Sequence, residues 1–215
     1  MTKRSSMAKS GDHLHQDPQD FIGKYENSGR VGNWLIERFF SAAQDLIEST
    51  LPEKARVLEV GCGPGYSTSR IKNWRGIDHF LAGEPDPAVC EFARRMNPDV
   101  EFLHESAYCL AHGDNSFDAV IMLEVLEHLD DPPAALAELH RISRGVVLIS
   151  TPREPLWRAL NFARGKYLGA LGNTPGHIQH WSSRGLIRQV SPLFEVIACA
   201  KPVPWTILLL KPRKA

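Results

Sequence analysis

Nine residues constrain this chain more than any others: Val57-Leu58-Glu59-Val60-Gly61-Cys62-Gly63-Pro64-Gly65. A short apolar strand runs into a turn with glycine at every second position and then into a segment able to form a helix. Glycines at 61, 63 and 65 permit positive φ and leave no Cβ to hold a ligand off the backbone. The turn can therefore lie flat beneath a nucleoside. Its spacing alone fits a ligand-free strand-to-helix turn equally well.

The surrounding pattern decides the fold class. Apolar runs at 57–60, 80–82, 100–103, 119–123 and 146–149 alternate with helical segments at 68–73, 87–96 and 133–142. Such alternation is the signature of a doubly wound, parallel sheet in an α/β domain. Ahead of it, Leu35, Phe39, Ala43, Leu46 and Ile47 recur at helical spacing, which predicts an amphipathic helix over 34–47. The last two runs, 195–200 and 206–210, are joined by a link holding Pro202 and Pro204. That link is too short for a crossover helix, so these strands are expected to pair antiparallel.

At 215 residues and 43% apolar composition the chain can bury one full core. Residues 1–18 are polar and without period, and are read as a disordered tail. Residues 19–215 are read as a single domain with an N-terminal helical cap and an insertion at about 151–192. The insertion is rich in Pro, Gly, Arg, His and Trp and follows the carboxyl end of a strand, where substrate contacts sit in α/β domains. The 25 basic and 25 acidic residues cancel, so no net field draws the chain to nucleic acid or to an anionic membrane. No apolar stretch is long enough to span a bilayer. Cys62, Cys90, Cys109 and Cys199 lack zinc or CxxC spacing and are read as reduced thiols of a cytoplasmic protein.

Three more segments give the glycine turn a context. The second strand ends in Ala82-Gly83-Glu84-Pro85-Asp86, setting an acid where the ribose of a bound nucleoside lies. Ser116-Phe117-Asp118 opens the fourth strand, and Met122-Leu123-Glu124-Val125-Leu126-Glu127-His128 closes it. With these motifs in order, residues 55 to 150 resemble the class I S-adenosylmethionine-dependent methyltransferases, in particular the small-molecule, type 11 group that contains the ubiquinone-biosynthesis O-methyltransferases.

The resemblance implies a Rossmann-like three-layer α/β/α sandwich, its seven-stranded sheet mostly parallel with an antiparallel C-terminal strand. It implies S-adenosyl-L-methionine as cofactor and a small-molecule acceptor, methylated on oxygen in preference to nitrogen or carbon. Glu59 and the backbone of Gly61, Cys62, Gly63 and Gly65 would hold the methionine part, Glu84 the ribose hydroxyls, and Pro85 would pack near the adenine. Ser106 and Ala107 stand where the family has Asp-Ala, so either the Ser106 hydroxyl or the charge of Glu105 would meet the adenine amino group. Glu124 would line the cofactor pocket.

Methyl transfer needs alignment and exclusion of water, and a base only when the acceptor is a hydroxyl that must lose its proton. His128 after the fourth strand, and His177 and His180 in the insertion, are the candidate bases; Trp157, Tyr167 and Trp181 would stack on the acceptor. The histidines fit a solvated or backbone-bonded surface loop as well. Glu124, Glu127 and His128 would suit Mg²⁺. The favoured reading holds no metal there, with Glu127 and His128 in local hydrogen bonds. Arg153, Arg158 and Arg164 fit a solvated face better than an anionic acceptor. Tyr25, Trp34 and Phe39 would cover the cofactor or pack a helix on the sheet. Two rival functions stand beside enzymatic transfer to a small molecule: a non-catalytic nucleoside-binding module acting through a protein partner, and methylation of protein or RNA. The oligomeric state is not written in the sequence.

Overall fold

A computed structural model describes residues 29–214; the polar tail and Tyr25 lie outside the described residues. Seven strands form one sheet: β1 (Ala55–Val60), β2 (Ile77–Glu84), β3 (Glu101–His104), β4 (Phe117–Leu123), β5 (Ser143–Pro152), β6 (Phe194–Ala200) and β7 (Trp205–Pro212). Their order is β3-β2-β1-β4-β5-β7-β6. The first five are parallel, and β7 runs antiparallel to both β5 and β6. The C-terminal pair expected to be antiparallel is therefore so, but its last strand slots between the other two rather than lying at the edge.

Period-two alternation explains the two faces. Leu58, Val60, Val120, Met122, Val147, Ile149, Leu208 and Leu210 point to one side, where they meet Leu136, Leu139 and Ile142 of α4 (Pro132–Ile142) and Leu186 and Val190 of α6 (Ser183–Val190). Val57, Ala119, Ile121, Leu148, Ile207 and Leu209 point to the other, against Ile36, Phe39, Phe40, Ala43 and Ile47 of α1 (Gly29–Glu48). Strands buried on both faces are apolar at nearly every position, which is why they were legible as continuous runs. The result is the three-layer α/β/α sandwich.

Helix starts are fixed by local chemistry. Asp86 caps α3 (Pro87–Met96), its carboxylate accepting the N–H groups of Ala88 and Val89 at 2.8 and 3.1 Å, with proline in the first turn. Asp131 caps α4 through Ala134 N–H in the same way, again ahead of proline. The helix read over 34–47 begins earlier, at Gly29. Conversely, α2 covers only Thr68–Ile71 of the expected 68–73.

The segment 151–192 departs most from a loop-like insertion. It holds the end of β5, the helix α5 (Leu156–Ala163), a 3₁₀ turn at Leu168–Ala170, and α6, whose Leu186 and Val190 are fully buried. Its glycines and prolines sit between helices rather than replacing them. All four cysteines are free thiols. No helix among the described residues is long and apolar enough to cross a membrane.

Candidate active site

β1 and β4 are neighbours in the sheet, yet the chain leaves them for opposite edges, so a crevice opens at their carboxyl ends. The glycine turn lies there, pinned by the N–H groups of Gly61 and Cys62, which both donate to Gly83 O at 2.8 and 3.0 Å. Gly61 passes so close to the segment after β4 that a Cβ on it would meet the Val125 side chain at 2.6 Å. Gly63 is the contrasting case. It sits at φ +53° with nothing within 4 Å of where a Cβ would be, leaving bare backbone facing open space. A nucleoside-bearing ligand fits such a cradle.

Two carboxyl groups brace the turn. Glu84, at the end of β2, accepts the Gly63 N–H at 2.9 Å on one oxygen and the Asp86 N–H at 3.1 Å on the other. It is buried, which raises its pKa against the lowering effect of those two donors. Glu59 is 1% exposed and accepts the Thr68 hydroxyl at 2.6 Å, so it ties the turn to the start of α2 from beneath. Burial lifts its pKa to about 7. Its carboxyl group is thus a support of the cradle. Cys62 is buried beside both acids, and desolvation pushes its thiol far up, leaving it inert.

The expected adenine end is less committed. Pro85 is exposed, its carbonyl accepting His104 Nε2–H at 2.8 Å. Glu105 is turned inward, bonded to the Ala111 N–H and to His112 Nε2, both at 3.3 Å. The Ser106 hydroxyl accepts the Tyr108 N–H from its own loop, and Ala107 is buried against the core. Glu105 is therefore occupied within the protein.

A second cluster forms where β4 ends. Glu124 has φ +58°, a conformation that costs a residue with a side chain about 1 kcal/mol or more. Its hydrogen bonds hold it there: Oε1 accepts the Ser150 hydroxyl and Oε2 accepts Trp205 Nε1–H, each at 2.8 Å. Glu127 follows on a 3₁₀ turn, fully buried, and neither of its side-chain oxygens has a hydrogen-bond partner. Burial raises both carboxyl groups, and the neighbouring Glu124 raises Glu127 further. The Glu127 side chain makes no local hydrogen bond of the kind expected; its backbone carbonyl accepts the N–H groups of Ile178 and Gln179 from the distant 175–181 segment.

Those two bonds carry the 175–181 segment onto the site. His128 donates Nδ1–H to Gly176 O at 2.9 Å, and its ring meets His177 edge-on with centroids 4.8 Å apart. His177 is buried and stacks on Trp157 of α5 at 6.0 Å. Ligand atoms of Glu127, His128 and His177 lie within 4.8 Å of one another. The acid–histidine set thus differs from the Glu124–Glu127–His128 set considered from sequence: Trp205 and Ser150 hold Glu124, and His177 comes in through the fold. His180 does not join; it is exposed and pairs with Asn173 Oδ1 at 2.8 Å.

Of the expected lid residues, Phe39 is buried on Phe40 and Trp205, whereas Trp34 is 57% exposed. Trp205 itself was not foreseen as a site residue. It touches Phe39, Trp157 and Glu124, but in sequence it is only the residue before an apolar run.

Comparison with known proteins agrees with this geometry. Residues 58–149 match a family model described as a methyltransferase domain. A demethylmenaquinone methyltransferase of Renibacterium salmoninarum is 30% identical over 115 residues, covering 53% of this chain and 48% of that protein. A ubiquinone biosynthesis O-methyltransferase of Pseudomonas entomophila is 32% identical over 124 residues, covering 55% and 49%. The chain thus spans about half the length of these relatives. The crystal structure of an S-adenosylmethionine-dependent methyltransferase from Aquifex aeolicus superposes with a TM-score of 0.66 at 17% identity, over 92% of this chain and 100% of that one. That last likeness is one of fold.

Proposed function

We propose that this chain, whose residues 58–149 form a class I S-adenosylmethionine-dependent methyltransferase domain of the type 11 group, transfers a methyl group from S-adenosyl-L-methionine to a hydroxyl oxygen of a small-molecule acceptor. One observation carries the reading. The bare backbone at Gly63 beside Glu84, and the Glu127–His128–His177 cluster, lie at the same end of the sheet and are joined by the close approach of Gly61 to Val125.

S-adenosyl-L-methionine, held by the glycine turn and Glu84, would supply an electrophilic methyl carbon for in-line attack by the acceptor oxygen, with the carbon–sulfur electron pair leaving on sulfur. The turn and Glu84 orient that cofactor, Glu84 through its remaining acceptor capacity toward a cis-diol. The Gly176 carbonyl fixes the His128 proton on Nδ1, so Nε2 is the basic nitrogen that takes the acceptor's proton. Trp157 and His177 supply flat faces for an aromatic acceptor, a class supported by the names of the two quinone-pathway relatives.

A second reading rests on the compactness of the cluster: one carboxylate and two imidazoles within 4.8 Å suit a divalent cation that would polarise the acceptor oxygen. Chelator treatment separates the two, since loss of turnover restored by added metal favours the cation.

The first test is calorimetric titration with S-adenosylmethionine and S-adenosylhomocysteine, beside a Glu84→Ala variant. Micromolar binding weakened at least tenfold in the variant is expected; no binding by folded wild type overturns the proposal. Methyl turnover on a phenolic acceptor panel then distinguishes an enzyme from a nucleoside-binding module acting through a partner. In the same assay His128→Gln should lower kcat at neutral pH and flatten the acid limb of the pH profile.

A further inference from the structure

The balanced total charge of the chain conceals a segregation. From Pro155 to Phe194 there is no aspartate or glutamate, while Arg158, Arg164, Lys166, Arg184 and Arg188 are basic. Within that acid-free stretch, residues 162–171 form a turn that carries Phe162, Leu168 and Leu171 at 51%, 53% and 67% exposure. Single exposed apolar residues are ordinary, but three large ones on ten consecutive residues mark a surface that meets something apolar.

The turn is braced from its base. Asn161, buried, donates Nδ2–H to Gly172 O at 3.0 Å and to the Thr174 hydroxyl at 3.2 Å, closing the two ends of the turn. Lys166 N–H donates to Asn161 O and Gly172 N–H to Tyr167 O, both at 2.9 Å. Arg164 reaches back to Asn161 Oδ1 at 2.8 Å. Such a framework holds Phe162, Leu168 and Leu171 outward at a conformational cost already met in the free protein.

We propose that this turn is a docking surface for an anionic lipid bilayer, Phe162, Leu168 and Leu171 entering the boundary between headgroups and acyl chains while Arg158, Arg164 and Lys166 meet the phosphates. Charge complementarity selects this occupant. A stretch of forty residues without one carboxylate has nothing to repel an anionic surface, and apolar tips flanked by cations are the composition of interfacial anchors. The same helix connects the surface with the candidate active site: Trp157, which stacks on His177, lies five residues before Phe162, roughly 8 Å along α5. An acceptor dissolved in the membrane would have a short path inward. The docking itself does not depend on the proposed methyl transfer.

The test is sedimentation of the full chain with vesicles of phosphatidylcholine alone and of phosphatidylcholine mixed with phosphatidylglycerol. Binding to the mixed vesicles is expected, at least tenfold stronger than to phosphatidylcholine and weakened by salt. Leu168→Asp/Leu171→Asp and Arg164→Glu/Lys166→Glu should each reduce it tenfold or more; circular dichroism is unchanged in both, and the melting temperature is unchanged in the first, whose side chains are exposed, and a few degrees lower in the second, which loses the Arg164–Asn161 bond. Wild type that ignores the mixed vesicles overturns the proposal, as does binding indifferent to both double variants. Sedimentation velocity supplies a third check: a wild-type dimer dissociated by Leu168→Asp/Leu171→Asp would assign the surface to a second copy and overturn the lipid assignment.

Discussion

At the scale of single residues, the glycine turn carries the sharpest consequence. Gly63→Ala puts a Cβ at φ +53° into the open space above the turn, where protein atoms do not oppose it. The backbone cost is about 1 kcal/mol. Calorimetry should therefore show S-adenosylhomocysteine binding weakened by tenfold or more while the protein melts only a few degrees lower. Glu59 yields a pH effect. Its folded pKa, about 7, lies above the ordinary value of 4.5, so the folded state retains a proton that the unfolded chain releases in that window. Stability from this group is full below about pH 4.5 and is lost as pH rises toward 7. Glu59→Gln keeps a polar partner for Thr68 without that dependence. Denaturant titrations at pH 5 and pH 7.5 should show wild type losing on the order of 2 kcal/mol more than the variant. Glu59, Glu84 and the three glycines were legible in sequence because the motif fixes them within one turn and its neighbouring strand. Trp205 and the joining of His177 to Glu127 were not, since those pairs are separated by 81 and 50 residues along the chain.

At the scale of elements, capping and burial act separately. Asp131 closes the start of α4 by accepting the Ala134 N–H at 3.2 Å, on a helix whose other end is held by the fully buried Leu139 and Ile142. Asp131→Ala is expected to cost about 1 kcal/mol of unfolding free energy, read as a lower denaturant midpoint with an unchanged slope. The sequence placed this helix over 133–142, opening at a proline that needs no N–H partner in a first turn; the Asp131 cap came only with the structure. The segment 151–192 gave the opposite lesson. Its high glycine, proline and arginine content suggested an insertion, yet α6 places Leu186 and Val190 in the main core, and only three apolar positions on eight residues signalled it. A two-turn helix has too few residues for a periodicity to stand out; contact with Phe194 and the sheet stabilises it instead.

At the scale of the whole molecule, the last strand is central. β7 bonds to β5 on one side and β6 on the other, and its Ile207, Leu208, Leu209 and Leu210 reach both faces of the core. Ending the chain at Lys201 would leave β5 with an open edge and detach β6, so that variant should fail to give a cooperative unfolding transition, where a terminal edge strand could be lost more gently. Amide dispersion in an NMR spectrum would check it. The sheet's parallel half, the two-faced core and the glycine turn with its bracing acid were readable from sequence, because each is encoded by local signals: period-two burial, alternate glycines and an acid one strand later. The entry of β7 between β5 and β6, the turn of Glu124 toward Trp205, and the meeting of His128 and His177 beside a buried Glu127 emerge only once the chain is folded. Those arrangements depend on pairing distant segments, and an antiparallel strand carries no mark of which neighbour it will choose until the apolar faces on both sides are filled.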